Sequence, residues 1–181
     1  MDGLQVAHTA GLDVATLRAV RALLEGVFTD DVDGGFAEED WDHTLGGMHA
    51  IVWEDGAPIA HASVVQRRLL HGGRVLRTGY VEAVAVRADR RRRGHGNTVM
   101  AAVERVIRGA YEVGALGASD EGMALYQARG WRRWEGPTSA LTPDGIVRTP
   151  DDDGGIFVLP VGATLDLTGE LTCDWRPGEV W

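Results

Sequence analysis

The sequence predicts one mixed α/β domain of the α+β kind, and three observations carry that reading. Apolar residues recur at helical spacing in two separated stretches, 13–28 and 97–111. Between them lie strand-like segments joined by an Asp-Gly and a Gly-Gly turn, the pattern of antiparallel pairing. The last of these strands feeds a glycine- and arginine-rich loop that opens into the second helix.

Each element has a local reason. Asp13 stands at an N-cap position, and Leu17, Val20, Leu24 and Val27 share one face of a helix ending near Phe28. The acidic stretch 34–47, centred on Trp41 and bounded by glycines, reads as a short helix. Met48–Trp53 and Ile59–Leu70 read as strands around the Asp55-Gly56 hairpin signal. Pro58 starts the second strand, where its missing N–H is tolerated. His71-Gly72-Gly73 turns the chain again, and Arg74–Gly79 with Tyr80–Val86 continues the strand pattern. Asn97 reads as the cap of a helix to Tyr111, with Val99, Val103, Val106 and Ala110 as its apolar stripe. Ala115–Ala118 is a short strand candidate. Ser119-Asp120 reads as the cap of a helix holding Met123, Ala124, Leu125 and Tyr126 and ended by Gly130. Trp131–Trp134, Ser139–Thr142 and Ile156–Val161 are the remaining strands. No repeat or linker divides residues 1–181, which read as a single domain.

Charge narrows the function. The net charge is −9, and all 18 basic residues are arginines. Such a field repels nucleic acid and attracts cations, so nucleic-acid binding is disfavoured and a cationic partner favoured. Asp30, Asp31, Asp33, Glu38, Glu39, Asp40 and Asp42 form one acidic stretch, and Asp151, Asp152 and Asp153 another. Arg87 and Arg90–Arg93 form one dense basic cluster, which suits a small anion site. No apolar run reaches the roughly 20 residues of a membrane span, and residues 1–10 lack the marks of a signal peptide. Cys173, the only cysteine, allows no disulfide within the chain, as expected of a cytoplasmic protein.

The strongest local signal is Val84-Ala85-Val86, then Arg91-Arg92-Arg93-Gly94-His95-Gly96, then a helix. A glycine-rich turn at a helix N-terminus offers backbone N–H groups beside the positive end of the helix dipole, a setting that holds pyrophosphate. The glycines admit phosphate to the backbone and the arginines add charge. Neither a dinucleotide-binding G-x-G-x-x-G nor a Walker loop is present. Glu82 interrupts an apolar strand, Tyr80–Val86. A carboxylate there is either paired, as with Arg77, or raised in pKa and fit for general-base work. Tyr126, mid-helix, reads alone as a core residue. The aspartates of 151–153 do not read as an EF-hand, because the alternate spacing is absent, and no metal site is expected.

The loop resembles the acetyl-CoA signature [RQ]-x-x-G-x-[GA] of the Gcn5-related N-acetyltransferase superfamily, with Arg91, Gly94 and Gly96 in the fixed positions. Tyr126, Gly130 and Trp131 match that superfamily's Y-x-x-x-G-[FW] stretch. The likeness then becomes specific. The strings 41–50, 66–69, 79–87, 107–111, 135–139, 148–153 and 173–176 resemble the actinobacterial aminoglycoside 2′-N-acetyltransferases, through almost the whole chain to Trp181.

The resemblance implies a mixed, mostly antiparallel sheet, flanked by helices, with a splayed V between two central parallel strands. It implies acetyl-CoA as co-substrate, its pantetheine on Val84, Ala85 and Val86 and its pyrophosphate on Arg91, Arg92, Arg93, Gly94, His95 and Gly96. It implies Glu82 as general base, through water, and Tyr126 as the acid that protonates the departing thiolate. Glu82, Ala83, Asp151, Asp152 and Trp181 match the family's substrate contacts, and the 35–40 segment, including Asp40, joins the same acidic cleft. Three positions depart: Gly35 stands where the family has an acid, with Asp33 near enough to substitute. Gly117 stands where many members have serine, and Glu179 replaces an aspartate. Trp181 is the last residue, so its α-carboxylate would add an anion beside Glu179. The expected partner is an aminoglycoside, with no nucleic acid and no membrane, and the expected assembly is a homodimer. The alternatives are an acetyltransferase for another polyamine, amino sugar or protein amine, and a weakly catalytic acyl-CoA-binding module.

Overall fold

The computed structural model describes residues 2–29 and 35–181. Its elements run β1 (Gly3–His8), α1 (Val14–Val27), α2 (Glu38–Thr44), β2 (Met48–Glu54), β3 (Ala57–His71), β4 (Arg74–Val86), α3 (His95–Ala110), β5 (Val113–Gly117), α4 (Met123–Ala128), β6 (Arg132–Arg133), β7 (Thr138–Thr142), β8 (Gly145–Arg148), β9 (Ile156–Pro160) and β10 (Leu171–Asp174). Backbone hydrogen bonds order the strands β6-β9-β5-β4-β3-β10-β7-β8, with β2 on β3 and β1 on β2. The described chain resolves into two compact units, residues 2–65 with 81–106, and 66–80 with 107–181, so β3 and β4 each contribute to both.

In the first unit Asp13 caps α1 by accepting from Thr16 N at 2.7 Å. Val20 and Leu24, on its inner face, are fully buried with Leu12, Trp41, Ile51 and Ala85. Burial of a large apolar side chain of this kind contributes about 1.5–3 kcal/mol, so this cluster holds both helices on the strands. The Asp55-Gly56 turn has both residues at positive φ, 52° and 75°, the hairpin conformation that the dipeptide signals. It sets the antiparallel register in which His49 faces Ser63 and Ile51 faces His61. Gly47 is required by close approach: a Cβ there would lie 2.2 Å from the Val64 carbonyl oxygen.

In the second unit β5 pairs antiparallel with β9 and parallel with β4. The parallel ladder covers Thr78–Tyr80 against Val113–Ala115, while β4 runs on to Val86. A second parallel pair joins β10 to β7. Trp134 is fully buried, donates its indole N–H to Gly169 O at 3.0 Å, and meets the edge of His71 at 4.9 Å.

Two helix starts differ from the sequence reading. The second long helix begins at His95, not after an Asn97 cap: Gly94 takes φ 87° and its carbonyl accepts from Thr98 N, placing Asn97 inside the first turn. The helix holding Tyr126 starts after Gly122 with no side-chain cap, because Ser119 turns the chain through its carbonyl, which accepts from Gly122 N and Met123 N. β1, β8 and β10 were not expected. Among the described residues no helix is long and apolar enough to cross a membrane.

Candidate active site

Three features of the first unit carry the sequence-predicted residues. The first is a bulge in β4. Ala83 takes φ 49°, rare for a residue with a Cβ and out of place in a strand. The carbonyls on either side are met by side chains of β3: Ser63 Oγ donates to Glu82 O at 3.4 Å, and His61 Nδ1 lies 2.9 Å from Ala83 O. Glu82, Ala83 and Val84 are half-buried here, and Ala85 is buried.

The second feature is the loop after β4. Arg87 pairs with Asp89 at 2.6 Å, and Arg90 pairs with Glu54 and, at 2.7 Å, with Asp89. Two members of the basic cluster are therefore neutralised by neighbouring carboxylates. Arg91, Arg92, Arg93 and Gly94 are exposed, and His95 and Gly96 open α3. A Cβ added at Gly94 would meet nothing within 4 Å, so the loop presents open backbone at the N-terminus of a four-turn helix. Exposed guanidinium groups, open backbone and a helix N-terminus together fit a pyrophosphate.

The third is α2. Asp40 accepts from Ala37 N at 2.8 Å, which secures the helix start. Glu38 accepts from Arg21 Nη1 and Nη2 at 3.1 and 2.7 Å, so part of the acidic stretch serves structure. Gly35 takes φ 81°. Asp33 lies outside the described residues.

The second unit gathers the others. Tyr126 is buried between Trp131 and Phe157, with ring centroids at 6.3 and 6.2 Å. Gly122 makes room for it, since a Cβ there would lie 2.9 Å from the ring. Burial pushes the Tyr126 phenol up to about 12, so it keeps its proton at neutral pH.

Trp181 is also buried. Its indole N–H donates to Thr149 Oγ1 at 2.9 Å, and its main-chain oxygen accepts from Arg176 Nη2 at 3.0 Å. Arg176 also donates to Glu179 O and lies 5.5 Å from the Tyr80 ring centroid, while Arg67 covers the same ring at 4.7 Å. Gly117, exposed at the end of β5, adjoins this group: an added Cβ would lie 3.7 Å from Tyr80 Oη and 3.9 Å from the Trp181 carbonyl carbon.

The three aspartates of 151–153 divide by environment. Asp153 accepts from Thr138 N, Thr138 Oγ1 and Arg148, and the Arg148 guanidinium above all holds it down at about 2. It is a structural carboxylate. Asp152 is half-buried, and its pKa is raised by that burial and by repulsion from Asp151 and Asp153, against a hydrogen bond from Thr149. Asp151 is exposed. Thr149 therefore links Asp152 to Trp181.

Sequence reasoning missed Thr149, Arg176 and Tyr80, whose meeting depends on pairings across 30 to 100 residues. It also missed His49 and His61, which the hairpin register alone brings within reach. Among the described residues no group of three or more His, Cys, Asp or Glu side chains could hold a metal ion.

Residues 12–133 match the family profile described as an acetyltransferase (GNAT) domain. An aminoglycoside 2′-N-acetyltransferase of Mycolicibacterium fortuitum is 54% identical, over 98% of this chain and 91% of that protein. Among solved structures, Escherichia coli ElaA superposes with a TM-score of 0.63 at 19% identity, over 87% of this chain and 99% of that one. A GNAT-family acetyltransferase of Brucella melitensis, solved in complex with acetyl-CoA, also gives 0.63, at 13% identity over 94% and 96%. At these identities the likeness is one of fold. The chain belongs to the Gcn5-related N-acetyltransferase superfamily and, within it, to the family of the aminoglycoside 2′-N-acetyltransferases.

Proposed function

We propose that this protein, acting as one N-acetyltransferase domain over residues 1–181, transfers the acetyl group of acetyl-CoA to the 2′-amine of aminoglycosides and so inactivates them. The observation that carries the reading is the 54% identity to the Mycolicibacterium fortuitum enzyme over nearly all of both chains. Family membership supplies the acetyl transfer, and the relative's name supplies the substrate. The acidic balance of the chain, with Asp152 linked to Trp181 through Thr149, supports a polycationic acceptor.

In this reading Arg91–Gly96 hold the pyrophosphate of acetyl-CoA, and the backbone of Val84–Val86 pairs with its pantetheine. Gly35, Asp33, Asp40, Ala83, Gly117, Asp151, Asp152, Glu179 and Trp181 contact the aminoglycoside. Glu82 accepts a proton from the 2′-ammonium through water. The neutral amine attacks the thioester carbon, a C–N bond forms as the C–S bond breaks, Tyr126 gives its proton to the thiolate, and the proton shed by the acylated nitrogen restores the phenol. The raised phenol pKa supports the last role, since the group is protonated when the thiolate leaves. Acetylation removes one positive charge, and with it part of the attraction to ribosomal RNA phosphates.

The reading places the enzyme in the cytoplasm as a homodimer. Leu141, Ile146 and Val147 on the β7–β8 hairpin, all exposed, offer apolar surface for a second copy; sedimentation at micromolar concentration tests that assembly. The activity is tested by acetyl-CoA turnover over a panel of aminoglycosides, linear polyamines, amino sugars and peptide amines. Turnover confined to aminoglycosides supports the reading. Preference for another amine moves the substrate, and acyl-CoA binding without turnover leaves only a binding module.

A further inference from the structure

The β4 bulge is held by a line of side chains that no role assigned so far uses. Thr9 Oγ1 lies 2.8 Å from His49 Nε2, His49 Nδ1 lies 3.0 Å from His61 Nε2, and His61 Nδ1 lies 2.9 Å from Ala83 O. Gly46 N donates to Thr9 Oγ1 at 3.0 Å. Both imidazoles are fully buried.

The chemistry of the last acceptor fixes the tautomer of both rings. A carbonyl oxygen only accepts, so His61 Nδ1 carries hydrogen and its Nε2 accepts. His49 Nδ1 must then donate, which leaves His49 Nε2 to accept from the Thr9 hydroxyl. The line has one direction, from Gly46 N–H to Ala83 C=O, and one pair of tautomers. A proton added to His61 would set two N–H groups against each other inside the core, whereas one added to His49 would face the Thr9 hydroxyl, which also has the Gly47 carbonyl at 3.2 Å to donate to.

The line ends where the backbone needs it. In a regular strand the successive carbonyls of Glu82 and Ala83 would point to opposite sides, but Ala83 at φ 49° turns the chain so that both meet β3. Two side chains on one face of β3, His61 and Ser63, supply the donors. Past the bulge, Arg87 N donates to Ile59 O at 2.9 Å. The carbonyls of Glu82 and Ala83 are thus both met by β3 side chains, and the Glu82 side chain leaves β4 beside them.

We infer that His61 is a positioning residue for the acetyl transfer: its Nδ1–H, fixed by His49 and Thr9, clamps the Ala83 carbonyl and thereby sets the direction in which the Glu82 carboxylate leaves β4. The inference rests on Glu82 being the general base, and the test separates the two. His61→Leu keeps bulk and removes the donor, whereas His61→Asn keeps an N–H close to the Nδ1 position. His61→Leu lowers kcat about 10–100-fold, the scale of a misplaced catalytic group, with the acetyl-CoA KM within about twofold of wild type. His61→Asn recovers most of the loss. In a Glu82→Gln background His61→Leu adds less than about twofold, because the group it positions is gone.

Wild-type kcat in folded His61→Leu overturns the inference, as does an undiminished loss in the Glu82→Gln background. Wild-type kcat in Glu82→Gln alone overturns the base assignment first and this inference with it. Should His61→Leu fail to fold, ¹⁵N NMR of the wild-type imidazoles decides. The inference requires the Nδ1–H tautomer at both His49 and His61; an Nε2–H tautomer at His61 overturns it.

Discussion

Acidification from pH 7 to pH 4.5 should weaken the fold in a window where carboxylates do little. His49 and His61 are the cause. Burial, with a smaller contribution from the charge of His8, pushes His49 down to about 4. Burial, with His49 beside it, pushes His61 down to about 3. Unfolded, both titrate near 6.5. Between these values the unfolded chain binds protons that the folded chain does not, so stability is complete above 6.5 and falls as pH drops toward the folded values. At about 1.4 kcal/mol per pKa unit, the His49 shift alone corresponds to roughly 3 kcal/mol. His61 adds in the same direction, and the coupled pair together is on the order of 3–6 kcal/mol. Set against a typical total of about 5–15 kcal/mol, this is a large fraction. Urea midpoints at half-unit steps from pH 7.5 to 4.5 measure it, with a His49→Gln/His61→Asn double variant as control. The wild type should lose stability steadily below 6.5, and the double variant should stay nearly flat until carboxylates such as Asp153, held at about 2 by Arg148, protonate at lower pH. A flat wild-type curve between pH 6.5 and 5, or equal slopes in both proteins, refutes the buried neutral pair.

Tyr126→Phe should lower kcat by up to about 10²–10⁴-fold and leave the acetyl-CoA KM within about twofold, read from steady-state kinetics in both substrates. Asp152→Asn should raise the aminoglycoside KM and, because burial and its aspartate neighbours disfavour the folded anion, raise Tm slightly at pH 7; calorimetry and kinetics on one preparation check both signs. Gly117→Ser should fold normally, since the added Cβ makes only ordinary contacts at 3.7 and 3.9 Å, and should change the aminoglycoside KM but not that of acetyl-CoA. Gly35→Asp should cost stability whatever it does to binding, because it forces a side chain to φ 81°, and a thermal melt shows the loss.

What the sequence announced is what local chemistry determines. Asp13 caps α1, Asp55-Gly56 turns with both φ angles positive, and the arginine-glycine run opens a helix, each because a few adjacent residues decide the backbone there. The missed strands lack such signals. β1 is an edge strand whose Leu4 and Val6 are exposed, and all of β8 is exposed, so neither shows a buried face. β10 is four residues, buried only by pairing with residues 69–71 and 138–141 far along the chain. The same distinction runs through the candidate site. The Arg91–Gly96 loop is contiguous and legible. Asp151, Asp152 and Asp153 look alike in sequence, and only Thr138 and Arg148 make Asp153 structural. The His49–His61 line was legible only through the hairpin register that sets Ile51 opposite His61.

Regiospecificity tests the central claim most directly. The protein is incubated with acetyl-CoA and, separately, with tobramycin or gentamicin, which carry a 2′-amine, and kanamycin A, which carries a 2′-hydroxyl; products are read by mass spectrometry with fragmentation to locate the acetyl group. Single acetylation of the first two at the 2′-nitrogen, with kanamycin A unmodified, is the predicted result. Acetylation of kanamycin A at a comparable rate, or an acetyl group on any other nitrogen of tobramycin, would contradict it.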